Sequence, residues 1–290
     1  MLNVRRLRWR DRAAALDYLS RDAAANLMLL DAAARLAAPL GSGGGLAGRI
    51  PGRSSGSTLA AAFADGRIHG VLSLRPSVLL DAAASPEAVE ALAPQLEPVG
   101  AGLIRSPAAT VDRLWAFLAR GGRRAVVDRR EIAHRLDLDA AAVAALPGAP
   151  TLRSAAGADL EDLVVAARAS LREEGRPDPF HGDPEGFRAW VHGRMERARL
   201  LEDEDGRVVF VAYADVQRPE GWLLQGVYTW PDRRRRGFAR GGVAALCREA
   251  DRAGAGHVQL AVVQGNEPAE RLYRGLGFRP FLELRTILFQ

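Results

Sequence analysis

Along the second half of the chain, apolar positions recur with two distinct periods. Leu160, Leu163, Val164, Ala167 and Leu171 repeat every three to four residues, the spacing of one helix face. Phe187, Trp190, Val191 and Met195 do the same behind Asp183-Pro184, a capping residue followed by a first-turn proline. Val243, Leu246, Cys247 and Ala250 mark a third helix over about 239–253, closed by Gly254. Strand-like runs fall between these stripes at 151–153, 199–204, 207–216, 222–229, 257–263 and 281–289. Asn266 caps a short helix that carries Ala269, Leu272, Tyr273 and Leu276. A hairpin followed by strand, helix, strand, helix and strand predicts an α/β fold: a mixed sheet flanked by helices, with one central crossover.

The first half is less explicit. A helical stretch is expected at 13–30, and Asp65-Gly66 sits between two strand-like runs, a strong hairpin signal. Asp205-Gly206 repeats that pattern 140 residues later, also behind helical stretches. Either chance or a duplicated fold accounts for the echo. Leu146-Pro147-Gly148-Ala149-Pro150 breaks the helical pattern, so the expected domains are 1–147 and 148–290. Two cores suit a length of 290 residues. Residues 38–57, rich in glycine, serine and proline, read as a flexible surface loop. No Gly-Lys-Ser/Thr follows these glycines, so they are not a P-loop.

Charge changes the picture little. The net charge is +5, and all 40 basic residues are arginine. A mixed-charge solvated surface accounts for this better than a nucleic-acid interface, since no basic face is interleaved with aromatics. Cys247 is the one cysteine and lies on an apolar helix stripe, so a buried structural thiol is expected. A lone thiol, no signal-peptide core and no membrane-length apolar run predict a cytoplasmic protein with no membrane partner. The five histidines are scattered without paired ligand spacing, so no metal is expected. No Ser-His-Asp order or Gly-x-Ser-x-Gly elbow occurs.

The chemistry concentrates in residues 227–240. A strand ending in Val227, Tyr228 and Thr229 runs through Trp230-Pro231-Asp232 into Arg233, Arg234, Arg235, Arg236 and Gly237. A helix opens at once with Phe238, Ala239 and Arg240. The first turn of a helix has free N–H groups and a partial positive charge, so it receives anions. A glycine there lets the backbone approach a phosphate closely. On physical grounds alone this is an anion site, best suited to a phosphate ester.

Arg234-x-x-Gly237-x-Ala239 resembles the Arg/Gln-x-x-Gly-x-Gly/Ala signature of the GNAT superfamily of N-acetyltransferases. Asn266-x-x-Ala269-x-x-Leu272-Tyr273-x-x-x-Gly277-Phe278 is similar to the same family's final helix and Gly-Phe turn. The segment around Ala25-Asn26-Leu27, the first hairpin and residues 105–118 resemble a two-part subfamily. In that subfamily a poorly characterised N-terminal domain precedes the acetyltransferase. Here that half would be a degenerate GNAT-like copy, because residues 93–99, at the 140-residue offset from the basic turn, hold no arginine and no comparable glycine turn.

The resemblance implies an acetyl-CoA-dependent N-acyltransferase acting on a primary amine, whether a small molecule or a peptide. The backbone of Val227, Tyr228 and Thr229 would pair with the pantetheine arm. The stretch Arg234, Arg235, Arg236, Gly237, Phe238, Ala239 and Arg240 would hold the pyrophosphate. Tyr273 would be the general acid for the leaving thiolate, and a tyrosine of ordinary pKa near 10 stays protonated at neutral pH. Asn266 either contacts the cofactor or only caps its helix. For the base, Glu173, Glu174, His181, His192 and Glu220 stay open. So does a non-catalytic alternative, an acyl-CoA-binding sensor or interaction module. The N-terminal half could shape the acceptor pocket, mediate a homodimer or bind a regulator.

Overall fold

A computed structural model describes residues 2–37, 58–178, 180 and 182–290. The loop expected at 38–57 and His181 lie outside the described residues. The chain divides into two units, Met1–Ile132 together with Leu282–Gln290, and Ala133–Phe281.

The first unit contains β1 (Asn3–Arg6), α1 (Arg12–Ser20), α2 (Leu27–Ala34), β2 (Thr58–Ala64), β3 (Arg67–Arg75), β4 (Leu79–Leu80), α3 (Pro86–Leu92), β5 (Gly102–Pro107), α4 (Ala108–Arg120) and most of β6 (Ala125–Asp137). Its four-stranded sheet has the order β1-β2-β3-β4. The Asp-Gly signal holds: β2 and β3 pair antiparallel around Asp65 (φ 49°) and Gly66 (φ 74°), both left-handed as a tight hairpin requires. The helix expected at 13–30 is broken into α1 and α2. Asn26 explains the break: its amide donates to the Leu19 carbonyl (3.3 Å) and accepts from the Ala82 N–H (3.0 Å). Those bonds hold the intervening turn to a partner 56 residues away.

The second unit contains the end of β6, then α5 (Ala140–Ala145), β7 (Arg153–Ser154), α6 (Leu160–Glu173), α7 (Pro184–His192), β8 (Ala198–Glu202), β9 (Val208–Gln217), β10 (Trp222–Thr229), α8 (Phe238–Arg252), β11 (His257–Val263), α9 (Glu267–Arg274) and the start of β12 (Arg279–Phe289). Its strands follow the order β7-β8-β9-β10-β11-β6. Side chains alternate across the sheet. Phe210, Ala212 and Ala214 of β9 and Val258, Leu260 and Val262 of β11 pack against Val243, Leu246 and Cys247 of α8. Val211 and Tyr213 face the other way, against Leu163 of α6 and Phe187 and Val191 of α7. Cys247 is fully buried, and burial pushes its thiol up to about 12, so it packs as a small hydrophobe.

The Leu146–Pro150 turn, where the composition changes, falls inside the second unit. β12 begins in the second unit and finishes in the first, where residues 284–289 pair antiparallel with β5 from Leu284↔Pro107 to Phe289↔Gly102. Among the described residues no helix is long and apolar enough to cross a membrane.

Candidate active site: a split between two strands

β10 is hydrogen-bonded to β9 along its length, but its partnership with β11 is brief. The two run parallel and pair only at Trp222↔Val258 and Leu223↔Gln259. Beyond that point they separate, and among the described residues no strand pairs with the β11-facing edge of β10 from Leu224 to Thr229. The β9 register also slips between Gln225 and Tyr228, where Gly226 takes φ 57° and sits under the Tyr213 ring. A wedge results, with its apex at Leu223 and Gln259 and its mouth at Thr229. Exposed strand edge at the mouth is a template for an extended ligand arm.

At that mouth the chain turns into α8. Pro231–Arg233 make one 3-10 turn, Arg235 is left-handed (φ 60°), and Gly237 caps the helix at φ 86°. That backbone angle is the reason for glycine, because a Cβ there would meet nothing within 4 Å. The N–H groups of residues 235–240 have no acceptor within the protein among the described residues, whereas Gly241 N–H returns to the Gly237 carbonyl (2.9 Å). Six donors without a partner therefore gather at the positive end of a 15-residue helix.

The four arginines divide into two pairs by role. Arg233 bonds Asp203 (3.3 Å) and Asp232 (3.5 Å). Arg234 bonds Glu173 (2.7 Å), donates Nε–H to the Thr229 carbonyl (3.0 Å) and covers the Tyr228 ring. Both brace the turn. Arg235 has no carboxylate partner among the described residues, nor does Arg240, and Arg236 lies over Phe238 (5.4 Å to the ring centre). Those three carry the free positive charge. Arg234 thus ties the turn to α6 and donates to the carbonyl of Thr229.

Tyr273 sits on α9, 6% exposed, edge-on to Phe278 at 5.8 Å. Burial, with a smaller contribution from the Glu174 carboxylate, pushes its phenol well above the ordinary tyrosine range. Its proton stays on at neutral pH. Asn266 caps α9, its Oδ1 accepting from Ala269 N–H (3.3 Å). Of the carboxylates considered as bases, Glu173 is committed to Arg234. Glu220 is held by Arg218 (2.7 Å) in the turn before β10, at the end away from the mouth. His192 ends α7 and is exposed. Glu174 alone acts on Tyr273. The Glu173–Arg234 pair joins residues 61 apart and left no mark in the local pattern.

A cavity of about 460 Å³ adjoins the turn on another side, lined by Arg153, Asp159, Glu202 and Arg233 among others. Arg153 fills its role there by bonding both Asp159 (2.7 Å) and Glu202 (2.5 Å). Among the described residues no group of three or more His, Cys, Asp or Glu side chains could hold a metal ion.

The split strands, the N–H-lined turn and the order of elements are one arrangement, and the sequence of that stretch decides what it is. Residues 162–278 match the profile of the acetyltransferase (GNAT) family. Residues 162–278 are a GNAT acetyltransferase domain. Solved structures extend the likeness of fold to the whole chain. A Drosophila protein superposes with a TM-score of 0.70 at 15% identity, covering 98% of each chain. A GCN5-related N-acetyltransferase from Sphaerobacter thermophilus gives 0.54 at 18% identity, covering 99% of this chain and 94% of its own. A tandem GNAT protein from the clavulanic acid biosynthesis pathway gives 0.50 at 15% identity, over 100% and 98%. The N-terminal part therefore shares the GNAT-like fold, with a motif-bearing acetyltransferase domain behind it. No curated protein sequence matches the chain significantly.

Proposed function

We propose that the GNAT domain transfers an acetyl group from acetyl-CoA to a primary amine. The observation that carries this reading is the run of unpaired N–H groups at 235–240 beside an unpaired strand edge. A pyrophosphate needs the first, and an extended amide-bearing arm needs the second. Acetyl-CoA would supply the acyl group as a thioester, which a neutral amine attacks directly and from which a thiolate leaves.

The protein's part is holding and proton transfer. Val227 and Tyr228 present backbone to the arm, together with whatever Thr229 retains beside Arg234. Arg235, Gly237, Phe238, Ala239 and Arg240 present N–H groups, with Arg236 adding charge at the rim. Tyr273 returns a proton to the departing sulfur, a task suited to a phenol that stays protonated.

Calorimetric titration with acetyl-CoA tests this. The wild type should bind, and Gly237→Glu should lose at least a hundredfold in affinity. That variant places a carboxylate where phosphate belongs and strains a left-handed position. Full affinity in the variant would overturn the assignment. The commitment of Glu173 to Arg234 and of Glu220 to Arg218 favours a second reading, an acyl-CoA sensor that binds without turnover.

A further inference from the structure

The cavity beside the cofactor turn has room for a ligand of its own, and its charges are not balanced from within. Its volume of about 460 Å³ lies in the range of small-molecule sites. Arg153 answers two carboxylates at once, Asp159 (2.7 Å) and Glu202 (2.5 Å), so that group keeps one negative charge. Both bonds from Arg153 to Glu202 fall on Oε1, and Oε2 has no partner among the described residues. Asp162, one turn after Asp159 on α6, also lines the cavity; it is exposed and has no partner among the described residues. Negative charge therefore gathers where α6 begins.

The rest of the lining is of a different character. Arg207 follows Gly206 in the turn between β8 and β9, and no carboxylate bonds its guanidinium among the described residues. Arg233 is held loosely, 3.3 Å from Asp203 and 3.5 Å from Asp232, against 2.7 and 2.5 Å for the two pairs of Arg153. The half-buried indole of Trp230 adds a mostly apolar surface, and its N–H has no partner among the described residues. Free carboxylate oxygens, a free guanidinium and an aromatic ring are together the complement of a small zwitterion with an apolar body. A plain anion would meet Asp162 and Glu202, and a plain cation would leave Arg207 unanswered.

We propose that this cavity is a second ligand site, taking an α-amino acid with an apolar side chain. Asp162 and the free oxygen of Glu202 accept from its ammonium, Arg207 donates to its carboxylate, and its side chain lies against Trp230. None of these residues belongs to 224–229 or 235–240, so the site is separate from the one that would hold acetyl-CoA. The two are joined along the chain, because Trp230 and Arg233 wall the cavity and the same segment runs on into the N–H-lined turn. The amino acid's carboxylate competes with Asp203 for Arg233, one of the two arginines that brace that turn. Resting on the acetyl-CoA reading above, occupancy of the cavity weakens cofactor binding, and by linkage the cofactor weakens binding in the cavity.

Calorimetry on the full chain tests this with L-phenylalanine as the probe. Phenethylamine, which lacks the carboxylate, and 3-phenylpropionate, which lacks the ammonium, serve as controls. L-Phenylalanine should bind more tightly than either by about tenfold or more, the worth of one charge-assisted bond. Arg207→Gln should erase its advantage over phenethylamine, and Asp162→Asn should reduce its advantage over 3-phenylpropionate. Both side chains are exposed, so neither variant should disturb the fold. Saturating L-phenylalanine should weaken acetyl-CoA binding by about fivefold in the wild type and leave it unchanged in Arg207→Gln. No binding of L-phenylalanine, or binding matched by either control, would overturn the site. Equal acetyl-CoA affinity with and without L-phenylalanine would overturn its link to the cofactor turn. If L-phenylalanine binds and acetyl-CoA does not, the acyl-transfer reading fails while the cavity assignment stands.

Discussion

Tyr273 carries its proposed role through two properties that the fold supplies separately. The α9 stripe buries the ring against Phe278, and that burial keeps the phenol protonated well above neutral pH. A phenylalanine would preserve the ring contact and remove only the proton. Tyr273→Phe should therefore leave thermal stability nearly unchanged. It should lower turnover of acetyl-CoA by about 10²–10⁴-fold with an amine that the wild type accepts. Equal turnover in the variant would reduce Tyr273 to packing. Both readings were open in the sequence, because a tyrosine on an apolar stripe looks the same in either. The burial of its ring and the influence of Glu174 became visible only with residues 174 and 273 in place. The same holds for Arg234: its position in the motif is plain, but its carboxylate partner is not.

At the scale of elements, the second half is legible because its signals are contiguous. The strands at Trp222–Thr229 and His257–Val263 stand where alternation put them, and Gly237 opens α8 as the Arg-x-x-Gly pattern implies. The split between them is a different matter. It depends on where a parallel register ends, and no local pattern encodes that.

In the first unit the legibility is poorer, since a long-range network shapes it. Asp81 is fully buried between β3 and α1, accepting from the N–H groups of Val71 (2.6 Å) and Ala83 (3.0 Å) and from the Tyr18 hydroxyl (3.1 Å). Desolvation outweighs those bonds and its carboxyl is pushed up to about 6. A carboxyl whose titration is raised on folding favours the folded state most when protonated. Its contribution is complete below about pH 4 and is lost as pH rises through about 6, by up to about 3 kcal/mol. Asp11, Asp128 and Asp159 titrate low beside their arginines and act in the opposite sense, losing stability as pH falls. Urea unfolding between pH 4 and pH 7 should therefore be compared between wild type and Asp81→Asn. The difference between the two curves should shrink as pH rises across this window. A pH-independent difference would mean that the three hydrogen bonds hold Asp81 ionised throughout.

Along the whole chain, β6 and β12 each begin in one unit and end in the other, which composition could not reveal. Pro147, Gly148 and Pro150 announce a boundary at 147–148, and a fragment 148–290 is the natural product of that announcement. The units divide elsewhere. Leu136 and Leu146, 4% and 5% exposed, belong to the core of the second unit with Val243, Leu246 and Phe278. Arg248 of α8 donates to the carbonyls of Leu146 (2.9 Å) and Pro147 (2.7 Å). At the other end, Ile287 and Phe289 are buried in the core of the first unit, beside Val111 and Leu114. Removing residues up to 147 would strip two buried leucines from one core and leave Ile287 and Phe289 without theirs. Burial of a leucine stabilises by about 1.5–3 kcal/mol, so losing two approaches the roughly 5–15 kcal/mol that holds a domain together. Fragment 148–290 should therefore unfold well below fragment 133–290, which restores Leu136 and Leu146, and both should aggregate more than the full chain. Thermal unfolding of the three chains, followed by circular dichroism and light scattering, measures this directly. If 148–290 melts with 133–290, the glycine- and proline-marked turn is the working boundary after all, and residues 133–147 are dispensable to the acetyltransferase core.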